Sequence, residues 1–408
     1  MTNSTNEMAL SAAAPPSLLR TLAVWGPGLL VMMADCDAGN VVSAAQAGAQ
    51  WGYRLLPLLL LLIPVLYLVQ ELTVRLGIFT RTGHAVLIRQ AMGPVWAWVS
   101  LANLAVAVAG TLVTDFSGIA GIGEMFGLPR WLPLTLAVVA MLAVVLTGSY
   151  RRTERIALAI GLFEISFLAV AWWSRPDGQT MWAEVRDLPL HDNGFWYLMA
   201  AVVGAVFNPW MIFYQQGAVA AKQLRPSDYR SERLDTAVGA VLTQVLTAAV
   251  LVAAAAVLRG HALEAVGDVS DALTPVLGGA SKLVFAAGVL GAAMVAIIVA
   301  TLSLAWSLSE MTGKPQQSKQ FLGLYVLLVA GAGLLVGLRD DLIGLSIAAQ
   351  ALNTFLLPLV LGCLLYLARK ALPRRLRLAG WAGAATVAVF TLLAVLGVFG
   401  GLAGLMGS

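Results

Sequence analysis

Apolar runs long enough to cross a bilayer recur eleven times along this chain, near residues 22–49, 53–75, 95–122, 131–149, 155–173, 194–221, 234–258, 281–308, 320–338, 342–368 and 379–403. A spanning helix needs about 20 apolar residues, so the pattern predicts an all-α integral membrane protein of about eleven transmembrane helices. Composition agrees: of 408 residues, 60% are hydrophobic and 11% charged, where an ordinary soluble domain carries about 25% charged residues. No stretch is polar enough for a separate soluble domain, so residues 21–408 read as one membrane domain. Residues 1–20 are polar and rich in Ala and Pro. They lack the charged start and apolar core of a cleaved signal and read as a short disordered tail in the cytoplasm. The two cysteines, Cys36 and Cys363, lie inside apolar runs and exclude a disulfide framework or a CxxC zinc site. The formal charge of +4 does not point to nucleic acid; in a membrane chain its sign is read loop by loop.

With the N-terminus in the cytoplasm, only Arg54, Arg130, Arg175, Arg186, Arg259, Lys282 and Arg339 fall in outside loops, and the other 18 of the 25 Lys and Arg residues fall inside. That asymmetry follows the positive-inside rule, and an odd number of spans then puts the C-terminus outside. Arg151, Arg152 and the run Arg374, Arg375, Arg377 read as topology signals at an anionic leaflet. Trp96, Trp98, Trp172 and Trp173 read as interfacial belt residues.

Two spans differ from the rest. Asp35, Asp37, Gly39 and Asn40 interrupt the first at mid-length, and Asn208 and Pro209 interrupt the sixth. Irregular backbone at that depth is tolerated only where protein or a water-filled cavity satisfies the freed amides and carbonyls, so two breaks imply an internal site. First and sixth are corresponding places in two five-helix halves, the pattern of inverted-repeat transporters. The repeats then cover about 21–175 and 194–370, with 379–403 as an added helix.

Each intramembrane carboxylate costs at least about 2.5 kcal/mol to insert and therefore asks for a partner or a purpose. Asp35, Asp37, Asp115 and Glu164 are such acids. In Asp37-Ala38-Gly39-Asn40 a carboxylate and an amide flank a glycine that lets the backbone unwind, and hard oxygen ligands for a cation are the natural product. At the second break Pro209 removes a backbone donor, freeing carbonyls one turn earlier, and Asn208 offers another oxygen. Gln350 and Asn353 in the tenth span could supply an oxygen or lock helix packing. Asp35 is expected to face an aqueous vestibule, Glu164 to sit in an ion pair or reach such a vestibule, and Cys36 to pack in the core. His84, His191 and His261 show no ligand spacing.

The strings GPGLLVMMADCDAGN (Gly26 to Asn40) and QAGAQWGY (Gln46 to Tyr53) resemble the first span of the Nramp family of divalent-metal transporters, whose motif there is Asp-Pro-Gly-Asn. The resemblance runs on through QELTVRLGIFT (Gln70 to Thr80), Thr114-Asp115, the sixth-span break and AAQALNTFLLP (Ala348 to Pro358). It implies a two-repeat fold moving divalent metals by alternating access. It also implies Asp37, Asn40, the Ala205 carbonyl and Gln350 as metal ligands, with Asn208 standing where the family has a methionine.

The departures sharpen the expectation. Ala38 replaces the family's Pro, and Asn208-Pro209-Trp210-Met211 replaces Met-Pro-His-Asn, so the thioether that favours softer metals is absent. Gly118 stands where a glutamate usually follows the third-span Asp, and Gln215 where the sixth span carries a histidine. Without that acid and imidazole the usual proton relay lacks titratable members, although Asp115 remains. The string NPWMIFYQQGA (Asn208 to Ala218) resembles the Nramp-related magnesium transporters. The expectation is therefore a Mg²⁺ or Mn²⁺ transporter of the plasma (inner) membrane without proton coupling. Gly39 and Pro209 would be its hinges, Asp115 would line the vestibule, and the ion would be its substrate with no bound cofactor. It would work as a monomer with the bilayer and the ion as partners. A conventional proton-coupled Mn²⁺/Fe²⁺ importer is the alternative, and a sodium-coupled solute symporter is a weaker one. No second acid, Ser-His or HExxH arrangement faces Asp37 at a spacing that would suit an enzyme.

Overall fold

The computed structural model describes residues 26–146, 150–260, 263–314 and 318–407. The expected N-terminal tail and His261 lie outside the described residues, as do the side chains of Arg151 and Arg152.

The first span is two half-helices, α1 (Pro27–Asp35) and α2 (Ala38–Trp51), separated by Cys36 and Asp37. Next come α3 (Leu56–Thr80), the short α4 (His84–Met92), α5 (Pro94–Met125) and α6 (Trp131–Leu146). The fifth span is α7 (Tyr150–Gly161), a 3₁₀ turn at Leu162–Ile165 and α8 (Ser166–Trp173), followed by the short α9 (Gly178–Glu184). The sixth is again two half-helices, α10 (Asn193–Val206) and α11 (Pro209–Ala221). The chain continues through α12 (Tyr229–Val257), the short α13 (Asp268–Leu277), α14 (Ala280–Thr312), α15 (Lys319–Gly337), α16 (Leu342–Lys370) and α17 (Gly380–Gly407). Eight of these stretches are long and apolar enough to cross a membrane, one of them Ala38–Thr80, which joins the second half of the first span to the second span. Shorter apolar helices at Trp131–Ala143 and Leu322–Gly337 fall at the expected fourth and ninth spans. The short helices α4, α9 and α13 occupy stretches expected as loops.

The packing has the symmetry of a duplicated five-helix unit. The first span packs on the seventh and the sixth on the second; the third packs on the tenth and the eighth on the fifth. The third also meets the fourth as the eighth meets the ninth, and the second meets the seventh as the third meets the eighth. Raising every span number by five, and taking numbers above ten around again, maps this set of contacts onto itself. Five crossings per unit oblige the second unit to enter from the opposite side, which makes the repeats inverted. The eleventh span lies outside that pairing and packs on α10 and α16.

Glycines set the closest approaches. A Cβ on Gly48 would fall 2.2 Å from the Leu251 carbonyl of α12, and one on Gly204 2.0 Å from the Gln350 carbonyl of α16. Small residues let helix backbones meet in this way inside a membrane, where no hydrophobic force draws helices together.

Candidate metal site at the two helix breaks

Each break has a local cause. Asp37 is the N-cap of α2, its Oδ1 accepting from the Asn40 amide at 2.6 Å. The Asp115 Oδ1 of α5 accepts from the Ala38 amide at 3.1 Å. Two carboxylates therefore sit at the positive end of one half-helix. At the second break α10 ends at Val206, Phe207 and Asn208 are unwound, and Pro209 opens α11 at the first-turn position where its missing N–H costs nothing. The C-terminal ends of α1 and α10, with their exposed carbonyls and partial negative charge, thus face the same region and suit a cation.

Hydrogen bonds join the residues expected from the sequence into one network. Gln350 Nε2 donates to Asp37 Oδ1 at 3.4 Å. Asn353 Nδ2 donates to Gln350 Oε1 at 2.9 Å and to Asn208 Oδ1 at 2.7 Å. Asn208 Nδ2 closes on the Ala205 carbonyl at 3.0 Å. On the other side of the first break, Asn40 Nδ2 donates to the Asp35 carbonyl at 2.9 Å. Asp37, Asn40, Ala205, Asn208 and Gln350 are all buried. Asp37 Oδ2 and Asn40 Oδ1 accept nothing, and Gln350 Oε1, which accepts from Asn353, keeps a second lone pair. No group of three or more His, Cys, Asp or Glu able to hold a metal occurs among the described residues. An ion here would therefore meet one carboxylate, amide oxygens and a backbone carbonyl, a hard donor set.

Gly39 is not itself unwound: it is the second residue of α2, and the irregular residues are Cys36 and Asp37. Its role is room, since a Cβ there would lie 2.1 Å from Gln350 Nε2. Pro209 likewise sits in the first turn of α11 beside the unwound pair. Asn353, weighed in the sequence between ligand and packing residue, ties the Asn208 and Gln350 oxygens together. Thr111 is a further residue of the site, one that no sequence motif marks clearly. Its hydroxyl accepts from Trp210 Nε1 at 2.9 Å and lies 3.5 Å from Asn208 Oδ1, and the Thr-x-x-Thr-Asp spacing to Asp115 is the only signal that could have found it. Met211 is buried and lines a largely apolar cavity with Phe207, Ile212, Leu357 and Leu361, although Gln70 and Asn208 also reach it.

Two other expectations change. Asp35 does not reach an aqueous vestibule: it is fully buried, and neither carboxylate oxygen has a hydrogen-bond partner. Glu164, in the 3₁₀ turn of the fifth span, is equally buried and unpartnered, with no ion pair among the described residues. Cys36 is buried and free, as expected. His84, expected in a loop without a ligand role, is buried at the start of α4, its Nδ1 2.7 Å from Gln216 Oε1.

At the positions of the family's proton relay, Gly118 faces Ala38 so closely that a Cβ would lie 2.4 Å from the Ala38 methyl. Gln215 donates to the Thr236 hydroxyl at 2.9 Å.

Known proteins resemble this chain in sequence and fold. The divalent metal cation transporter MntH of Yersinia pestis is 26% identical over 309 residues, covering 73% of this chain and 75% of its own. MntH of Deinococcus radiodurans is 27% identical over 306 residues, covering 71% and 70%. A crystal structure of the Eremococcus coleocola manganese transporter superposes with a TM-score of 0.79 over 97% of this chain and 90% of that one, at 18% identity, a likeness of fold. The family description "Natural resistance-associated macrophage protein-like" matches residues 28–402, from the first half-helix through both breaks to the eleventh span, and the chain belongs to this Nramp family.

Proposed function

We propose that the protein carries Mg²⁺ and Mn²⁺ across the plasma (inner) membrane by alternating access, without obligatory proton coupling. The observation that carries the reading is the single network joining Asp37, Gln350, Asn353, Asn208 and the Ala205 carbonyl across two helix breaks. Its relatives' names, divalent metal cation transporter and manganese transporter, support the substrate class. The donor set supports the harder ions: Mg²⁺ keeps most of its waters and binds through one or two carboxylates, which one acid, three amides and a carbonyl can provide. Met211 lines a mostly apolar cavity beside Asn208, and in this reading it stays outside the donor set. The contact between Gly118 and Ala38 supports the absence of proton coupling, because both departures from the family pattern fill one space and leave no room for an acid there.

In this reading Asp37, Asn40, Ala205, Asn208 and Gln350 surround the ion, Asp115 holds the amide end of α2, and α1 and α11 swing about the breaks beside Gly39 and Pro209. The N-terminus lies in the cytoplasm, the C-terminus outside, and one chain is the working unit. Mn²⁺ uptake into proteoliposomes, with millimolar Mg²⁺ as competitor and a pH dye in the lumen, tests it. Suppression by Mg²⁺ with no acidification is the expected result. Uptake indifferent to Mg²⁺ with acidification would identify a proton-coupled importer and overturn the reading of Asn208 and Gly118.

A further inference from the structure

We propose a second cation-binding position on the opposite side of the first-span break, formed by the carboxylates of Asp35 and Glu164 and the hydroxyls of Thr243 and Thr247.

Four acids lie buried around this break: Asp35, Asp37, Asp115 and Glu164. None forms an ion pair among the described residues. Asp37 and Asp115 have their half-helix amides. All four oxygens of Asp35 and Glu164 have nothing. Unpaired carboxylates in a membrane interior are costly, and they persist where something neutralises them.

The seventh span supplies the independent observation. Its register against the first span is fixed at three levels: Asp235 Oδ2 accepts from the amides of Gly26, Gly28 and Leu29 at 3.1, 2.9 and 3.2 Å. One turn on, Gly239 abuts Met32 and the Gly28 carbonyl, and further on the Leu251 carbonyl and Ala255 amide face Gly48. Residues 243–247 therefore pass the break itself. Thr243 and Thr247, one turn apart, are buried there, and neither hydroxyl has a hydrogen-bond partner. The seventh span packs on both α1 and α8, so it borders the spans that carry Asp35 and Glu164. Glu164 comes from the far side, where Met33 of α1 packs on Gly161. Two carboxylates and two hydroxyls, all buried and unpartnered, thus come from three spans that pack on one another around the break, with Asp35 ending α1 at its negative pole.

The ligand class follows from charge. One divalent ion at the Asp37 network leaves two buried carboxylates uncompensated, and a second partly hydrated divalent ion held by Asp35 and Glu164 compensates them. Asp35 and Asp37 stand on either side of Cys36 at one break, so the two positions adjoin.

Mn²⁺ titrated into the purified full-length protein, with bound ion counted by electron paramagnetic resonance, tests the proposal. Wild type is expected to hold two ions, Glu164→Gln one, and Asp37→Ala one. Thr247→Val, which removes a single oxygen and keeps its shape, should weaken one of the two ions about tenfold and serves if Glu164→Gln does not fold. One ion in wild type, or two ions in Glu164→Gln, overturns the second position. Two ions retained in Asp37→Ala would instead overturn the transport-site assignment on which the function rests, so the two failures are distinct.

Discussion

At the residue scale the site depends on amides that hold other groups in place. Asp37→Ala removes the carboxylate that, among the described residues, is bonded into the network between the two breaks, and it is expected to abolish Mn²⁺ uptake while leaving a folded protein, judged by an unchanged elution profile in detergent. Transport like wild type in that variant would reject Asp37 as a ligand. The Asn353 amide donates to both Asn208 and Gln350. Asn353→Leu, close in size, leaves those two oxygens free to turn away. A lost buried hydrogen bond costs about 1–3 kcal/mol, so uptake should fall about tenfold or more through a raised KM for Mn²⁺, without loss of folded protein. An unchanged KM would mean that Asn353 is only a packing residue.

At the element scale the pieces proposed to move are half-helices, and α1 is held by identifiable bonds. α1 is fastened to α12 by one carboxylate, Asp235, spanning three amides at its N-terminus. Replacing a good N-cap costs about 0.5–2 kcal/mol, so Asp235→Ala should release α1 and raise maleimide labelling of Cys36 several-fold in a Cys363→Ser background. Labelling at the wild-type rate would show that packing on α12, not the cap, holds α1. The short α4 is docked through His84, whose burial pushes its pKa down to about 4, outweighing the opposing effect of the Gln216 bond. The fold favours the neutral ring, so this contribution is complete above the unfolded value near 6.5 and is lost as pH falls from there toward 4. The loss is about 3 kcal/mol at most. Thermal stability of the detergent-solubilised protein is expected to drop across that window, and His84→Gln should flatten the drop. A profile with the same drop in the variant would assign it to other groups.

At the scale of the whole molecule, the duplicated five-helix packing places both breaks near the middle of the spans, so an ion passing through the site crosses the whole membrane field, about half of it on each side. An inside-negative potential of 100 mV favours entry of a divalent cation by about 4.6 kcal/mol, enough to drive accumulation without a proton. Mn²⁺ uptake into proteoliposomes should therefore rise with an imposed potassium-diffusion potential and respond little to a pH gradient of either sign. Uptake that follows the pH gradient and ignores the potential would contradict this.

What the sequence determined by itself was the solvent, the number of crossings and the two places where helix could not continue, because apolar length, proline and intramembrane polar residues act locally. The residues of the candidate site were legible for the same reason, together with their resemblance to a known family. Distances between spans are not local, and only the tertiary structure decided them. It showed that Gly39 gives Gln350 space rather than unwinding, that Gly118 is filled by Ala38, and that Asn353 ties two helices together. It also buried Asp35 and Glu164 without partners where a vestibule or an ion pair was expected. Whether a polar side chain in a span meets water, an ion pair or another helix depends on which of ten other helices lies against it, and that is set by packing.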